Sequence, residues 1–171
     1  MSVGFRILRD FVRAPRALVE AFGAIPTPLI SDNMNRMVAG GAGLRPIHRP
    51  RDPAAAMCGP ALTVRTRAGD NLMVHKAIDI AEPGDVIVVE AGGALTNAII
   101  GEIMTRYAAS RGVAGFVIDG AVRAARAIGA GSLPVYARGV THRGLYKDGA
   151  GEINVSVSID GMVIQPGDIV V

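Results

Sequence analysis

Apolar positions recur along this chain in two rhythms, and the places where one gives way to the other outline its elements. Ala61 to Arg67 alternates with period two as a strand, and Gly69-Asp70 turns the chain. Asp70 or Asn71 caps a helix through Ile80 that carries His75. Pro83-Gly84-Asp85 is a second turn, followed by Val86 to Glu90, a strand too apolar to be exposed on either face. Beyond the Gly92-Gly93 loop a helix ends near Arg111, with Gly112 placed to terminate it. Gly115 to Asp119 is another buried strand, Gly120 a turn, Arg123 to Ile128 a short helix, and Pro134 to Ala137 a strand. The last third alternates like a hairpin: Val155, Val157 and Ile159, a turn at Asp160-Gly161, Val163, then a turn at Pro166-Gly167-Asp168. The closing Ile169-Val170-Val171 is a strand, whose partner is expected from another subunit or from a longer natural chain.

The beginning of the chain reads differently. To about Glu20 it has helical spacing, with Phe5, Leu8, Val12 and Phe11 as an apolar stripe. Pro26 and Pro28 end that segment. Ser31 and Asp32 offer N-cap oxygens for a short helix through Met37, with Met34 and Met37 as core and Gly40-Gly41 as the stop. Gly43 to Pro60, rich in Pro and Arg, reads as a surface connection. Strands alternating with helices in the middle, and strands alone at the end, imply a layered α/β domain with a mixed sheet, or two sheets with helices outside. The expectation is one domain over residues 1–171, of which 1–26 form a basic, helical N-terminal extension.

Composition narrows the class. Half of the 171 residues are apolar but only 4% are aromatic and none is Trp, so Ala, Val, Ile and Gly must fill a closely packed interior. No apolar run approaches the roughly 20 residues of a membrane span. Arg6, Arg9, Asp10 and Arg13 interrupt any secretory-type segment, and a single cysteine, Cys58, excludes an internal disulfide. Cytoplasm is the expected compartment. Sixteen of the eighteen basic residues are Arg, against a net charge of only +3. Arg6, Arg9, Arg13 and Arg16 line one side of the expected first helix, and others fall between Arg45 and Arg51. With no aromatics interleaved for base stacking, these read as solvated faces rather than a nucleic-acid surface.

The chemistry concentrates between Gly101 and Arg123, in GEIMTRYAASRGVAGFVIDGAVR. Glu102 and Arg123 stand at successive strand-to-helix junctions with twenty residues between them. In a parallel α/β layer such junctions open onto one crevice beyond the carboxyl ends of the strands. Arg123 offers a planar fork for a carboxylate, and Ala124, Ala125 and Ala127 supply no local partner. The bland alternative is an ion pair with Asp119 or Glu102. Glu102 also suits a helix's first turn, where the macrodipole favours an acid by about 0.3–1 kcal/mol. If the helix starts at Gly101, the amides of Glu102, Ile103 and Met104 are free to bind an anion. If it starts at the good caps Thr96 or Asn97, they are consumed. His75 reads as a structural histidine, His48 and His142 as solvated, Cys58 as a buried small hydrophobe, and Asp32 as a cap. Gly92-Gly93 lacks the residues of a phosphate cradle.

Together with LPVYARGVTHRG and INVSVSIDGMVIQPGDIVV, the Gly101–Arg123 stretch resembles the RraA-like family. That family holds 4-hydroxy-4-methyl-2-oxoglutarate/4-carboxy-4-hydroxy-2-oxoadipate aldolases and the regulator of ribonuclease E activity. LISDNMNRM, CGPALTV and GDNLMVHKAIDIAEPGDVIVVE extend the resemblance over about Thr27 to Val171. It implies an αββα sandwich of the swivelling-domain type, assembled as a homotrimer or hexamer with sites between subunits. It also implies a site in which the segment matching Gly101, Glu102, Ile103 and Met104 and the arginine matching Arg123 hold a 2-oxo acid's carboxylate. In the aldolases a divalent metal, magnesium or manganese, stabilises the pyruvate enolate left by carbon–carbon cleavage. Glu102 matches an acid near the metal's water shell, and some members decarboxylate oxaloacetate. Glu102 and Asp119 could hold the cation only through waters, because Ala124 replaces the usual aspartate ligand and Ala127 a further acid. The alternative implied is a non-catalytic regulator that binds a ribonuclease or other protein partner. Such chains are sometimes labelled methyltransferases, but no glycine fingerprint or acidic ribose clamp for S-adenosylmethionine is present.

Overall fold

Two clusters of buried side chains lie on opposite faces of one sheet, and the strand sequences explain why. In Val86–Glu90, Ile87 and Val89 enter one cluster while Val86 and Val88 enter the other. The Gly115–Val122 strand divides likewise, Phe116 and Ile118 to one side and Val117 to the other. A strand that is apolar on both faces has to be covered on both faces.

The computed structural model describes residues 4–37, 40, 42–49 and 56–171. In chain order the elements are β1 (Phe5–Ile7), α1 (Arg16–Gly23), α2 (Thr27–Asn33), β2 (Arg45–Pro46), β3 (Gly59–Thr66), α3 (Leu72–Ile80), β4 (Val86–Glu90) and β5 (Ala98–Ile100). They continue with α4 (Glu102–Ser110), β6 (Gly115–Val122), α5 (Ala125–Ala130), β7 (Val135–Val140), β8 (Gly151–Ile153), β9 (Val157–Ile159), β10 (Met162–Ile164) and β11 (Ile169–Val170). The main sheet runs β1-β8-β3-β4-β6-β7-β2. Its centre, β3 to β7, is parallel, whereas β8 pairs antiparallel with β3 and β2 with β7. Helices α3, α4 and α5 cover one face through Val74, Ile78, Met104, Ala108 and Ile128. The β9–β10 hairpin covers the other through Val157, Ile159 and Ile164. This is the expected layered α/β sandwich with mixed sheets.

The N-terminal expectation is corrected. Phe5–Ile7 is a strand paired in parallel with Gly151–Ile153, and among the described residues no helix forms before Arg16. Pro15 sits at the cap of α1, so the helix starts there. The four arginines share no helical face: Arg6 pairs with Glu152, Arg13 with Asp85 and Glu82, and Arg16 with Glu20. Ser31 and Asp32 lie inside α2, which begins at Thr27 with Pro28 in its first turn, so neither is its N-cap. Asp32 instead holds Arg36 at 2.7 Å. Met34 and Met37 are exposed rather than core. Gly41 and Arg51 lie outside the described residues. The closing strand finds its partner inside the chain, as β11 pairs antiparallel with Gly59 and Pro60 of β3.

Candidate functional site

The geometry begins with β5, which the sequence did not foretell. Ala98–Ile100 pairs in parallel with the end of β6, opposite Ala121 and Val122, so Thr96 and Asn97 start no helix. Gly101 is extended (φ −150, ψ −168) and is the N-cap of α4. The first intrahelical bond runs from Thr105 N to Gly101 O at 3.1 Å. The amides of Glu102, Ile103 and Met104 therefore point out of the helix end with no acceptor among the described residues.

Arg123 leaves β6 at this corner. Its amide donates to Ile100 O at 3.0 Å, joining the two junctions through the backbone. Its side chain lies across Gly101, where a Cβ would come within 3.0 Å of the Arg123 Cγ and 3.2 Å of its Nε. A second glycine, Gly144, borders the guanidinium, its Cβ position 4.0 Å from Nη1. Arg123 is exposed and forms no ion pair with a described residue. An unpaired fork and three free amides thus face one corner.

The acids are occupied elsewhere. Glu102 Oε1 is 2.7 Å from Arg106 Nη2, one helical turn along. Asp119, 5% exposed, accepts from the Gly93 amide at 3.1 Å and pairs with Arg138, which also holds Asp160. Asp160's carboxyl is held below its usual range by Arg138 and by the Gly43 amide. Asp119 therefore fastens the Gly92-Gly93 loop and the turn of the β9–β10 hairpin. Neither acid pairs with Arg123.

Ala124 follows in the left-handed region (φ 55, ψ 38), exposed, with only a methyl group to offer. Ala127 lines a groove of about 300 Å³ between α4 and α5, along with Glu102, Thr105, Arg106, Ile128 and Leu133. A hard divalent cation requires several oxygen ligands converging at about 2.1 Å. Among the described residues no three His, Cys, Asp or Glu side chains converge. With methyl groups at 124 and 127 and both nearby acids held by arginines, this donor set does not fit magnesium or manganese.

The remaining candidates are structural. His75, half-buried on α3, has its pKa lowered by burial and then by Lys147. His48 is not solvated as expected: Nδ1 accepts the Val135 amide at 3.1 Å and the ring meets Tyr136 edge-on. Cys58 is half-buried, its thiol donates to Val19 O at 3.2 Å, and burial raises its pKa. Arg106 and Arg138 were missed by sequence reasoning. Arg106 had a signal in its four-residue spacing from Glu102; Arg138, far from both its partners in sequence, had none.

Fold and corner together define an α/β sandwich that carries an unpaired arginine and open helix amides at the strand ends. The family is equally plain: residues 27–171 match the RraA-like (Aldolase/RraA) model, and the chain belongs to that family. A relative from Halalkalibacterium halodurans, provisionally named a 4-hydroxy-4-methyl-2-oxoglutarate aldolase, is 42% identical over 153 residues, 90% of this chain and 71% of the relative. Among solved structures, the RNA-processing inhibitor RraA from Thermus thermophilis superposes with a TM-score of 0.74 at 27% identity, covering 85% of each chain. A Geobacillus kaustophilus protein titled an S-adenosylmethionine: 2-dimethylmenaquinone methyltransferase gives 0.76 at 28% identity, covering 85% of this chain and 88% of that one.

Proposed function

We propose that this chain binds the carboxylate of a small 2-oxo acid between Arg123 and the first turn of α4, and that the reaction belonging to the site is retro-aldol release of pyruvate. The observation that carries the binding is the unpaired Arg123 laid across Gly101 beside three free amides. A carboxylate there accepts two hydrogen bonds from the guanidinium and further bonds from the amides, in the favourable field of the helix N-terminus. The relative's name supports the reaction class. In that reaction the C3–C4 bond of a 4-hydroxy-2-oxo acid breaks, its electron pair stays on C3 as the pyruvate enolate, the C4 hydroxyl gives its proton to water as the new carbonyl forms, and C3 takes a proton back from water to give pyruvate. Arg123 and the amides hold and orient the carboxylate end. No step runs through a divalent metal, because the donor set does not fit one, and slow turnover is the consequence. Oxaloacetate decarboxylation would leave the same enolate.

Calorimetric titration with pyruvate tests the binding. Charge-assisted hydrogen bonds are worth about 1.5–3 kcal/mol, so Arg123→Ala should weaken binding roughly 10- to 100-fold. Absence of pyruvate binding by the unaltered chain would sink the proposal. Pyruvate release from 4-hydroxy-4-methyl-2-oxoglutarate and from oxaloacetate tests the reaction. With magnesium or manganese present, Ala124→Asp, which restores a carboxylate ligand, should raise the rate; an unchanged rate counts against an aldolase site.

The alternative, a regulator that contacts a ribonuclease, is favoured by the methyl groups at 124 and 127 and by the likeness to the RNA-processing inhibitor. An RNA-cleavage assay showing inhibition by this chain, undiminished in Arg123→Ala, would select it. In either reading the chain acts as a homotrimer or hexamer. Support comes from α1 and α2, which bury no residue within the single chain and expose Leu18 and Leu29.

A further inference from the structure

Glu102 opens α4, so its carboxylate stands at the same helix end that would receive a ligand's carboxylate. Two negative charges at one helix end repel, and burial of the ligand would strengthen the repulsion. A cation beside Glu102 removes that obstacle. In this chain the nearest one is covalent: Arg106 Nη2 lies 2.7 Å from Glu102 Oε1, and both side chains line the α4–α5 groove. The two residues are four apart with the acid toward the N-terminus, the favoured order for a helical pair. At the position where an aspartate would bring a metal, the chain has the Ala124 methyl, and Asp119 is committed to Arg138 and the Gly93 amide.

We propose that Arg106 is a positioning residue which neutralises Glu102 in place of a divalent cation, so that the Arg123 corner binds 2-oxo acids without metal. The inference rests on the binding reading above. It assigns no contact between Arg106 and the ligand: Arg106 acts through Glu102. Because Arg106 and Glu102 are 79% and 40% exposed, the effect is open to salt screening and fades as ionic strength rises.

The test is pyruvate titration of the full chain by calorimetry, in excess chelator and again in millimolar magnesium, with Arg106→Gln and with Glu102→Gln/Arg106→Gln. Circular dichroism first checks that each variant is folded, as expected for changes on an exposed helix face. The unaltered chain should bind equally, within about twofold, in both conditions. In chelator, Arg106→Gln should weaken binding several-fold at low salt and much less at 0.5 M salt. The double variant should bind more tightly than Arg106→Gln alone, which loss of a merely structural contact would not produce. Binding by the unaltered chain only in magnesium overturns the inference and leaves the carboxylate site standing. So does an Arg106→Gln variant that binds normally in chelator, or a double variant that binds no more tightly than Arg106→Gln alone. Failure to bind pyruvate in either condition overturns the underlying reading, and this inference with it.

Discussion

Gly101 matters for what it lacks. Its extended backbone suits any residue, so its φ does not require glycine. The requirement comes from Arg123, whose stem occupies the space a side chain at 101 would fill. In Gly101→Ala the added methyl meets the Arg123 Cγ at 3.0 Å and Nε at 3.2 Å, and the flexible stem is the part that yields. The expected outcome is a guanidinium displaced from the helix end: pyruvate affinity falls several-fold, while the melting temperature moves little. A large loss of stability with unchanged affinity would show that Arg123 is not held where it binds. The neighbouring Ala124 keeps a left-handed conformation that aspartate, asparagine and glycine enter more readily, so Ala124→Asp is compatible with the backbone.

At the scale of elements, β1 shows how one buried acid holds a terminal strand. Glu152, 3% exposed on β8, accepts the Gly4 amide at 3.0 Å and lies 2.6 Å from Arg6 Nε. The Gly4 hydrogen bond chiefly, with Arg6 and Arg65 behind it, holds the Glu152 carboxyl below its ordinary value against the opposing effect of burial. A depressed carboxylate contributes stability that is fully present above its unfolded pKa of about 4.3 and is lost as pH falls through the folded value. Amide exchange should therefore show Phe5–Ile7 losing protection below about pH 4, ahead of β3, β4 and β6. In Glu152→Gln the same strand should be less protected at neutral pH. Acid exchange that affects β1 no earlier than the centre of the sheet would contradict this account. The N-terminal arginines, expected on one helical face, are divided among separate carboxylates because Arg6 lies on β1, Arg13 follows in irregular chain and Arg16 opens α1.

For the whole molecule, the question is what covers α1 and α2. Their exposed Leu18 and Leu29, with Ile25 in the connection between them and Met34 and Met37 beyond, form apolar surface that the single chain does not bury. Large patches of that kind mark contacts between molecules. Light scattering should give a mass well above that of one 17.7 kDa chain, with three copies as the expected unit. Leu29→Asp should move the population toward the single chain. A monodisperse monomer at micromolar concentration would remove the assembly from the proposal.

Much of the core could be read from the amino-acid order alone. Val86–Glu90 and the buried part of the Gly115 strand declare themselves by unbroken apolar runs, and the turns at Gly69-Asp70 and Pro83-Gly84-Asp85 by their residue types. Burial and turn geometry act on neighbouring residues, so they leave a local record. Arg123 at a strand exit, with alanines after it, belongs to that legible part. The start of α4 did not: Thr96 and Asn97 are good caps, and only the pairing of Ala98–Ile100 with β6 fixes the helix at Gly101. The partners of Glu152 and Asp119 were equally hidden, since Arg6 and Arg138 reach them only through sheet pairing and the closing hairpin. Short-range order is written in the spacing of residues. Which distant charges and strand edges meet is settled when the layers pack, because those energies depend on separation in space and not along the chain.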